Sequence, residues 1–354
     1  MTRASGTLQG TRIGGFVGRY RLGERIGAGA MGAVYEAERP DGGLVAVKVM
    51  HPQCRAHPHL VQRFRNEGTA GLPAAHPHVV SVLEHGETDD GLPFLVMPMI
   101  RGDTLSTRLF YDGALPLRRA ATLVQQLLTG LEALHAAGVV HGDVKADNIV
   151  VASGDDGSDT AVLIDLGLAS RWVANGDSQL PEGTMVSGTP EYMAPELICG
   201  HRPTPATDVY AAGIVLYELI TGTTPFAAAT TPEILRRHLG DDVTPPSLQA
   251  VDIAIPPILD RIVMQALDKQ PGRRFASAAE FAATLERARP YLDSHERRGA
   301  DRFTSWSRGG STQDWHGAAD APPVARTRVL GRHAPDAVAM RHDQHDTALA
   351  RPAS

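Results

Sequence analysis

Cysteine and long apolar runs are both scarce in this sequence of 354 residues. Only two cysteines are present, Cys54 and Cys199, and no apolar segment resembling a secretory signal follows Met1. We therefore expect a protein of a reducing compartment, the cytoplasm, without disulfides. A membrane-spanning helix needs about 18 or more consecutive apolar residues, and the longest candidate, at 209–220, is interrupted by a glycine and a glutamate. No membrane segment is expected.

An excess of positive charge is also missing. The chain has 34 Lys and Arg against 40 Asp and Glu, a net charge of −6. Because nucleic acids and anionic membranes attract basic surfaces, neither is expected as a partner. Lysine itself is rare, since arginine supplies all basic residues except Lys48, Lys145 and Lys269. Such selective use of lysine suggests sites that need a compact ammonium group.

The remaining composition is that of a folded protein with polar ends. Hydrophobic residues make up 42% of the chain, enough for a sizeable core, and the length suggests two units at about 150 residues each. Residues 1–16 and 291–354 are polar and lack periodicity, so we expect both ends to be flexible. The folded unit is therefore predicted to span residues 17–290.

Short runs of β-branched and aliphatic residues predict an antiparallel sheet in the first part of this unit. These runs lie at residues 20–26, 33–38, 44–50, 79–85 and 94–97, with one helix predicted near 60–72. From Leu117 onward the apolar period becomes helical. Later helices are predicted at 208–221, 256–267 and 277–288. The sequence therefore predicts an α+β protein, in which a small β-rich lobe joins a larger helical lobe near residues 98–102.

A glycine-rich motif, G-x-G-x-x-G-x-V, occupies residues 27–34 between two predicted strands. Gly27, Gly29 and Gly32 allow a hairpin backbone to lie close over phosphate oxygens and to point N–H groups at them. A plain tight hairpin would show the same pattern. Because the motif lies between strands, a dinucleotide-binding fold, which needs a strand followed by a helix, is disfavoured.

Lys48 ends the strand that follows this motif, where a cation can hold the α- and β-phosphates of a nucleotide. Glu67 lies on the predicted helix that comes next and can form an ion pair with Lys48. Taken singly, a solvated lysine at a strand end and a glutamate on a helix surface remain the alternatives.

The most specific pattern begins at residue 141. Asp143, Lys145 and Asn148 occupy one tight loop before a predicted strand, and Asp165 follows the next strand. The loop supplies a carboxylate to orient a nucleophile, an ammonium for a γ-phosphate and an amide oxygen for a metal ion. Asp165 supplies the carboxylate that Mg²⁺ prefers. Spacing, strands and loop together indicate phosphoryl transfer.

Taken together, the motifs of residues 17–290 resemble those of the eukaryotic-like Ser/Thr protein kinases of bacteria. Residues 188–196 resemble the G-T-x-x-Y-x-A-P-E segment, which ends the activation loop and forms a platform for peptide substrates. Small-molecule kinases lack this segment. Asp208 resembles the acid that holds the catalytic-loop backbone, and Arg274 resembles the arginine that pairs with Glu196 inside the large lobe.

The resemblance implies a two-lobed protein-kinase-like fold and a Ser/Thr protein kinase that uses ATP and Mg²⁺. The implied boundaries are 17–97 for the N-lobe, 98–102 for the hinge and 103–290 for the C-lobe. Protein substrates are the implied partners. Lys145 and Thr189 match the Ser/Thr pattern rather than the Tyr pattern.

The resemblance also implies a role for each motif residue. Asp143 would orient the substrate hydroxyl, Lys145 would neutralise the γ-phosphoryl group, and Lys48, held by Glu67, would fix the α- and β-phosphates. The implied Mg²⁺ ligands are Asn148 and Asp165. The implied nucleotide-binding residues are Ile26, Gly27, Ala28, Gly29, Ala30, Met31, Gly32, Val34, Ala46, Lys48, Met97, Pro98, Ile100 and Val150. At the hinge, proline lacks an N–H but keeps its carbonyl, so adenine binding is still expected.

Gly142 departs from the family pattern, because many protein kinases carry there an arginine that pairs with a phosphorylated activation-loop residue. Without that partner, we expect phosphorylation of Thr184 or Ser187 not to be strictly required. His-Gly-Asp also occurs in aminoglycoside and choline kinases, so a small-molecule kinase is one alternative. Lys145 and the platform at 188–196 favour the protein kinase.

The helix that carries Glu67 also contains Gly68, Gly71 and Pro73, which weaken helices. The ion pair with Lys48 is therefore expected to form only part of the time, with a dimer or regulatory partner completing it. A nucleotide-binding pseudokinase or scaffold is a second alternative. Pseudokinases usually lack at least one of the motif residues named above, but all of these residues are present here.

The C-terminal tail offers weaker hypotheses. Thr304, Thr312 and Thr327 lie where a kinase active site can reach them, so autophosphorylation is expected there. The two tail tryptophans, Trp306 and Trp315, suggest a short docking element or an unselected linker.

Overall fold

The computed structural model describes residues 14–70, 76–154, 157–166, 169–171, 188–250 and 254–307. Within these ranges, a β-rich lobe is followed by a larger helical lobe, which confirms the predicted α+β architecture. One strand ends at Pro98 and the next begins at Asp103, so residues 99–102 connect the lobes. Thr184, Ser187 and the tail beyond 307 lie outside the described residues.

The first lobe is built on a six-stranded antiparallel sheet with the order β1-β2-β3-β4-β6-β5. Its strands are β1 (Phe16–Val17), β2 (Tyr20–Ala28), β3 (Gly32–Glu38), β4 (Leu44–Met50), β5 (Glu84–Glu87) and β6 (Pro93–Pro98). Alternation along β4 places Val45, Val47 and Val49 in the core on one face. Ala46 and Lys48 therefore lie on the opposite face, which packs toward the helical lobe.

Helix α1 (Pro58–Ala70) packs beside this sheet through the fully buried ring of Phe64. Gly68 lies on its contact face, where a Cβ atom would come within 2.8 Å of Leu95 Cδ2 and 3.3 Å of His85 Cβ. The glycine that weakens the helix thus permits its close approach to the sheet. This contact explains why a glycine occupies position 68, which helix propensity alone does not explain.

The helical lobe surrounds a largely buried central helix. The helices are α2 (Leu105–Asp112), α3 (Leu117–Ala136), α4 (Pro195–Ile198), α5 (Pro205–Thr221), α6 (Thr231–Gly240), α7 (Pro246–Gln249), α8 (Pro257–Ala266) and α9 (Ala278–Ser307). Helix α5 has buried residues on all its faces, as expected for a helix inside a core. The predicted leucine stripe of α3 packs into the same core.

Short strands in this lobe form the floor of the cleft. They are β7 (Asp103–Thr104), β8 (Val139–Val140), β9 (Ile149–Ser153), β10 (Asp159–Leu163) and β11 (Ser170–Arg171). Strands β9 and β10 form an antiparallel pair, and β8 pairs with β11. The turn after β10 therefore lies beside the loop that precedes β9, because Ile164 N donates to the Asn148 carbonyl at 2.8 Å.

The predicted strand at 79–85 is largely wrong. Strand β5 begins only at Glu84, and the preceding residues form a loop with an isolated bridge from Val79 to Leu163. Val79, Val80 and Val82 are nevertheless buried. The apolar run reflects burial at the junction of the lobes rather than strand pairing, because a run of buried residues has no period that distinguishes the two.

The predicted end of the folded unit at 290 falls inside a helix. Helix α9 continues through Pro290 to Ser307. The cause is an apolar stripe of Phe281, Leu285, Ala288 and Leu292, which is buried against the core and extends past the proline. The sequence interpretation ended the helix too early because it weighted the polar composition that begins at 291.

Among the described residues, no helix has the length and apolar character needed to cross a bilayer.

Candidate active site

Lys48 is the centre of the upper half of the site. Its side chain is buried on the cleft face of β4, and its Nζ lies 2.8 and 2.9 Å from the two carboxylate oxygens of Glu67 on α1. The same Nζ lies 2.7 Å from Oδ1 of Asp165. Three separate elements thus meet at one ammonium group, and the expected ion pair with Glu67 is present.

The charges in this cluster depend on one another. Burial alone lowers the pKa of Lys48, but attraction to Asp165 and Glu67 outweighs burial and raises the pKa above its ordinary value. Burial raises the pKa of Glu67, and repulsion from Asp165 acts in the same direction. Lys48 is therefore held as a cation, which is the form that binds phosphate.

Asp165 follows β10 with a φ angle of 64°, and it is the one described non-glycine residue with positive φ. Backbone in this region costs about 1–3 kcal/mol for such a residue and tends to occur at functional sites. Here the unusual turn aims a half-exposed carboxylate at Lys48 from the helical lobe. The strain is consistent with a carboxylate placed for binding rather than for stability.

The lower half of the site is a hydrogen-bonded group around Asp143. Lys145 Nζ lies 2.9 Å from Asp143 Oδ2 and donates to Thr189 Oγ1 at 2.7 Å. Thr189 Oγ1 in turn donates to Asp143 Oδ1 at 3.2 Å. The structure therefore brings residues of the predicted loop together with a residue of the predicted substrate platform.

Asn148 completes this loop. Its side-chain Nδ2 donates to the carbonyl of Asp143 at 2.9 Å and to its Oδ2 at 3.2 Å. These bonds use the amide nitrogen, and the amide oxygen is the atom that can bind a cation.

A buried carboxylate on α5 holds the loop backbone from below. Asp208 Oδ1 accepts from Gly142 N at 2.8 Å, and its Oδ2 accepts from His141 N at 2.9 Å and from His135 Nε2 at 2.8 Å. Burial alone would raise the pKa of Asp208, but the bonds from these three residues hold it below its ordinary value. The carboxylate stays charged and fixes the loop, as the sequence resemblance implied.

Gly142 has a φ angle of 75°, in the left-handed region that glycine adopts without strain. The sequence patterns at this residue were a missing arginine and a His-Gly-Asp match, and neither concerns its backbone. Its backbone conformation supplies a second reason for glycine here, and no pattern in the sequence could have indicated it.

The predicted substrate platform, residues 188–196, is anchored in the helical core. Arg274 donates from Nη1 and Nη2 to the two carboxylate oxygens of Glu196 at 2.7 and 2.8 Å, and its side chain is fully buried. The guanidinium also lies 4.7 Å from the centre of the Tyr210 ring. This bidentate pair joins residues 78 positions apart and ties the end of the platform to α5.

An apolar cluster lies where the cleft face of β4 meets residues of the helical lobe. Ala46, Met97, Val34 and Ile100 of the predicted nucleotide set pack there together. Val80, Val162, Met99 and Ile164 line the same cluster and were missed, because they come from a loop, a strand end and the hinge. The remaining predicted residues lie around it: Val150 is buried and paired with Val162, Ile26 is about half exposed on β2, Pro98 pairs with Val45, and Gly27, Ala28, Gly29, Ala30, Met31 and Gly32 form the β2–β3 hairpin.

The donor atoms suit a nucleotide with Mg²⁺. Asn148 and Asp165 offer the oxygen ligands that this ion prefers, and Lys48 offers an ammonium for phosphate. In the part of the chain that the structure describes, no group of three or more His, Cys, Asp or Glu side chains could hold a metal ion. Mg²⁺ is usually bound by one or two carboxylates together with water and substrate phosphate oxygens.

Comparisons with known proteins agree with this geometry. The family model described as "Protein kinase domain" matches residues 20–283. The chain is 38% identical over 278 residues to the serine/threonine-protein kinase PkaB of Streptomyces coelicolor, covering 77% of this chain and 64% of PkaB. It is 34% identical over 288 residues to the serine/threonine-protein kinase Pkn3 of Myxococcus xanthus, covering 80% of this chain and 53% of Pkn3. The chain thus spans between about half and two thirds of these relatives.

A solved structure shows the same architecture. The crystal structure of the Mycobacterium tuberculosis PknI kinase domain superposes with a TM-score of 0.60 and 26% sequence identity. The match covers 78% of this chain and 99% of the PknI chain. The two-lobed fold and the family resemblance inferred from the sequence are both confirmed, and the chain belongs to the protein kinase family.

Proposed function

We propose that this protein is a Ser/Thr protein kinase, which transfers the γ-phosphate of ATP to Ser or Thr hydroxyl groups of proteins. The observation that carries the proposal is the group formed by Asp143, Lys145 and Thr189. It joins a carboxylate, a cation and a residue of the peptide platform within hydrogen-bond distance. Such an arrangement serves an acceptor hydroxyl that is presented on a peptide.

The proposed roles follow from these positions. Lys48, fixed by Glu67, binds the α- and β-phosphates, and Asn148 and Asp165 hold Mg²⁺. When bound, Mg²⁺ neutralises charge on the phosphate oxygens. Asp143 orients the acceptor hydroxyl and receives its proton. The hydroxyl oxygen then bonds to the γ-phosphorus as the bond to the ADP oxygen breaks.

Lys145 lies beside Asp143 and would neutralise the transferred phosphoryl group. The protein contributes positions and charges rather than covalent intermediates. The apolar side chains of Ala46 and Met97, which belong to one cluster between the lobes, would contact the adenine ring.

Two observations weigh on the alternatives. The Glu196–Arg274 pair anchors a peptide platform, which a kinase of small amino sugars or amino alcohols does not need. Lys48, Glu67, Asp143, Asn148 and Asp165 are all present and lie around one cleft, which favours transfer over a pseudokinase. The Lys48–Glu67 pair lies within this chain. A dimer or regulatory partner that stabilises it remains a prediction, as does a cytoplasmic location.

Mass spectrometry of the intact protein tests the proposal. Phosphatase-treated wild type is incubated with Mg-ATP and a generic basic protein, beside Asp143→Asn. We expect phosphate on the kinase or on the added protein with wild type alone. Phosphate found only on an added amino sugar or amino alcohol would instead support the small-molecule kinase. ATP binding without transfer to any acceptor would support the pseudokinase.

A further inference from the structure

Three consecutive carbonyl groups at the tip of the glycine-rich hairpin are bound by one short segment. His51 Nε2 lies 3.1 Å from the Gly29 carbonyl, and His51 N donates to the Met31 carbonyl at 2.9 Å. The thiol of Cys54 lies 3.6 Å from the Ala30 carbonyl and donates a weak hydrogen bond to it. A carbonyl can only accept, so the imidazole nitrogen must be the donor.

These contacts fix the orientation of three amide groups. In a trans peptide, the carbonyl of one residue and the N–H of the next point in opposite directions within one plane. Holding the carbonyls of residues 29–31 therefore turns the N–H groups of Ala30, Met31 and Gly32 away from His51. Successive amides oriented in this way form a concave site for anions.

The segment that makes these contacts is itself well anchored. It leaves β4 directly and forms a single turn of helix over Pro52–Ala56. Cys54 is buried within the cluster that contains Met50 and Phe64. The hairpin also lies tightly against β4, since a Cβ at Gly32 would come within 2.5 Å of the Val49 carbonyl oxygen. The hairpin tip is thus held by residues that come shortly after Lys48 in the chain, just beyond the end of β4.

We propose that His51 is a positioning residue for the nucleotide, which with Cys54 holds the hairpin tip so that the amides of Ala30, Met31 and Gly32 face the phosphates. The inference rests on the proposed ATP site. It adds residues outside the glycine motif to the binding machinery, and it separates phosphate binding from adenine binding. His51 acts through the Gly29 and Met31 carbonyls and does not touch the nucleotide.

Binding of Mg-ATP and of adenosine, measured by calorimetry, tests this role. In His51→Leu the side-chain donor is lost, and we expect ATP to bind about three- to tenfold more weakly, as befits one hydrogen bond. Adenosine affinity should not change, because adenosine has no phosphate. His51→Gln carries an amide N–H in place of the ring N–H and should restore most of the ATP affinity.

The matched control is His59→Leu, which removes an exposed histidine on α1 and should leave both affinities unchanged. His51→Asn, whose shorter side chain does not reach Gly29, should behave as His51→Leu and provides a second variant if leucine perturbs folding. Equal losses of ATP and adenosine affinity, or no loss of either, would overturn the proposal.

The same data separate this inference from the proposed function. If wild type discriminates ATP from adenosine and His51→Leu reduces that discrimination, but no transfer occurs, only the proposed activity fails. If wild type binds both with equal affinity, phosphate recognition is absent and both proposals fail.

Discussion

Lys48 and Asp143 lie on opposite sides of the same cleft, but the structure positions them by different means. Lys48 is held directly, through its side chain, by carboxylates from two other elements. Asp143 belongs to a loop whose backbone is held by the buried carboxylate of Asp208. The first arrangement responds to any movement of α1, whereas the second is built into the core of the helical lobe.

The two halves of the site should differ in how easily they are displaced. Because Glu67 lies on α1, which packs on the sheet through a few side chains, the upper half can be lost by a shift of one helix. The loop of the lower half is held by Asp208 on α5, which is buried on all its faces and resists displacement. We therefore expect variants of the two halves to separate nucleotide binding from transfer.

The largest expected effect is that of Asp208→Asn. The amide keeps one acceptor but cannot accept all three hydrogen bonds, and a buried donor without a partner costs about 1–3 kcal/mol. We expect kcat to fall at least about 100-fold, since that loss of positioning acts on the reacting groups. ATP affinity should stay within about twofold. A parallel loss of ATP affinity would contradict the separation of the two halves.

Glu67→Gln should have a smaller effect, and this effect should be on ATP affinity rather than on kcat. Lys48 keeps Asp165 as a counter-charge but loses its bidentate partner. We expect ATP affinity to fall about tenfold, equivalent to about 1.4 kcal/mol. Calorimetric titration measures the change, and Glu280→Gln, on the exposed surface of α9, is the control. Unchanged ATP binding would mean that Asp165 alone positions the lysine.

Glu218 on α5, which accepts a hydrogen bond from Tyr192 of the platform, should confer a pH dependence of stability. Burial raises the pKa of this carboxyl to about 7, despite a hydrogen bond from Tyr192, and repulsion from Asp147 and Glu191 adds to the rise. The folded state therefore binds more protons than the unfolded state between pH 4.5 and about 7. Across that window the contribution of Glu218 to the free energy of unfolding falls as pH rises, and it is constant above.

Denaturant unfolding of wild type and Glu218→Gln at several pH values measures this contribution. The stability of wild type relative to the variant should decline from pH 4.5 to about 7. A difference that does not vary with pH would show that Glu218 titrates normally.

Gly68→Ala sets helix propensity against packing. Alanine should stabilise an exposed helix by about 1 kcal/mol relative to glycine. Here the added Cβ would lie 2.8 Å from Leu95 Cδ2, and overpacking costs about 1–3 kcal/mol. We expect a small net loss of stability, together with weaker ATP binding as α1 moves outward. A stabilised protein with normal ATP affinity would show that the contact relaxes freely.

The smallest effect is expected for the double variant Thr184→Ala and Ser187→Ala. Gly142 offers no side chain to bind a phosphate on these residues, so the lower half should not depend on one. We expect kcat toward an added protein to stay within about threefold. A loss of kcat by several orders of magnitude would show that another cation binds a phosphate on Thr184 or Ser187.

Much of the site was predictable from the sequence because its chemistry is local. The loop that carries Asp143, Lys145 and Asn148 is short, so spacing alone places these groups together. The Asp165 carboxylate follows a recognisable strand. The expected weakness of the Lys48–Glu67 pair rested on Gly68, Gly71 and Pro73. Gly71 and Pro73 lie outside the described residues. For Gly68, the expectation left out the surface against which α1 packs.

The features that sequence reasoning missed depend on distant neighbours. The valines at 79–82 predicted a strand, although they fill the junction of the two lobes. Gly142 was seen as a missing side chain, although its backbone adopts a positive φ. His51 and Cys54 carried no signal at all, because their partners are backbone carbonyls, which every residue possesses.

By itself, the sequence determined the alternation of β4, the leucine stripe of α3 and the charged groups proposed to bind phosphate, because each depends on residue type and spacing along one segment. Only the tertiary structure decided that Lys48 meets both Glu67 and Asp165, that Asp208 holds the loop that precedes Asp143, and that α9 continues past 290. The physical reason is that these contacts arise when separately formed elements bury their apolar faces together, and the resulting distances are written in no single segment of the chain.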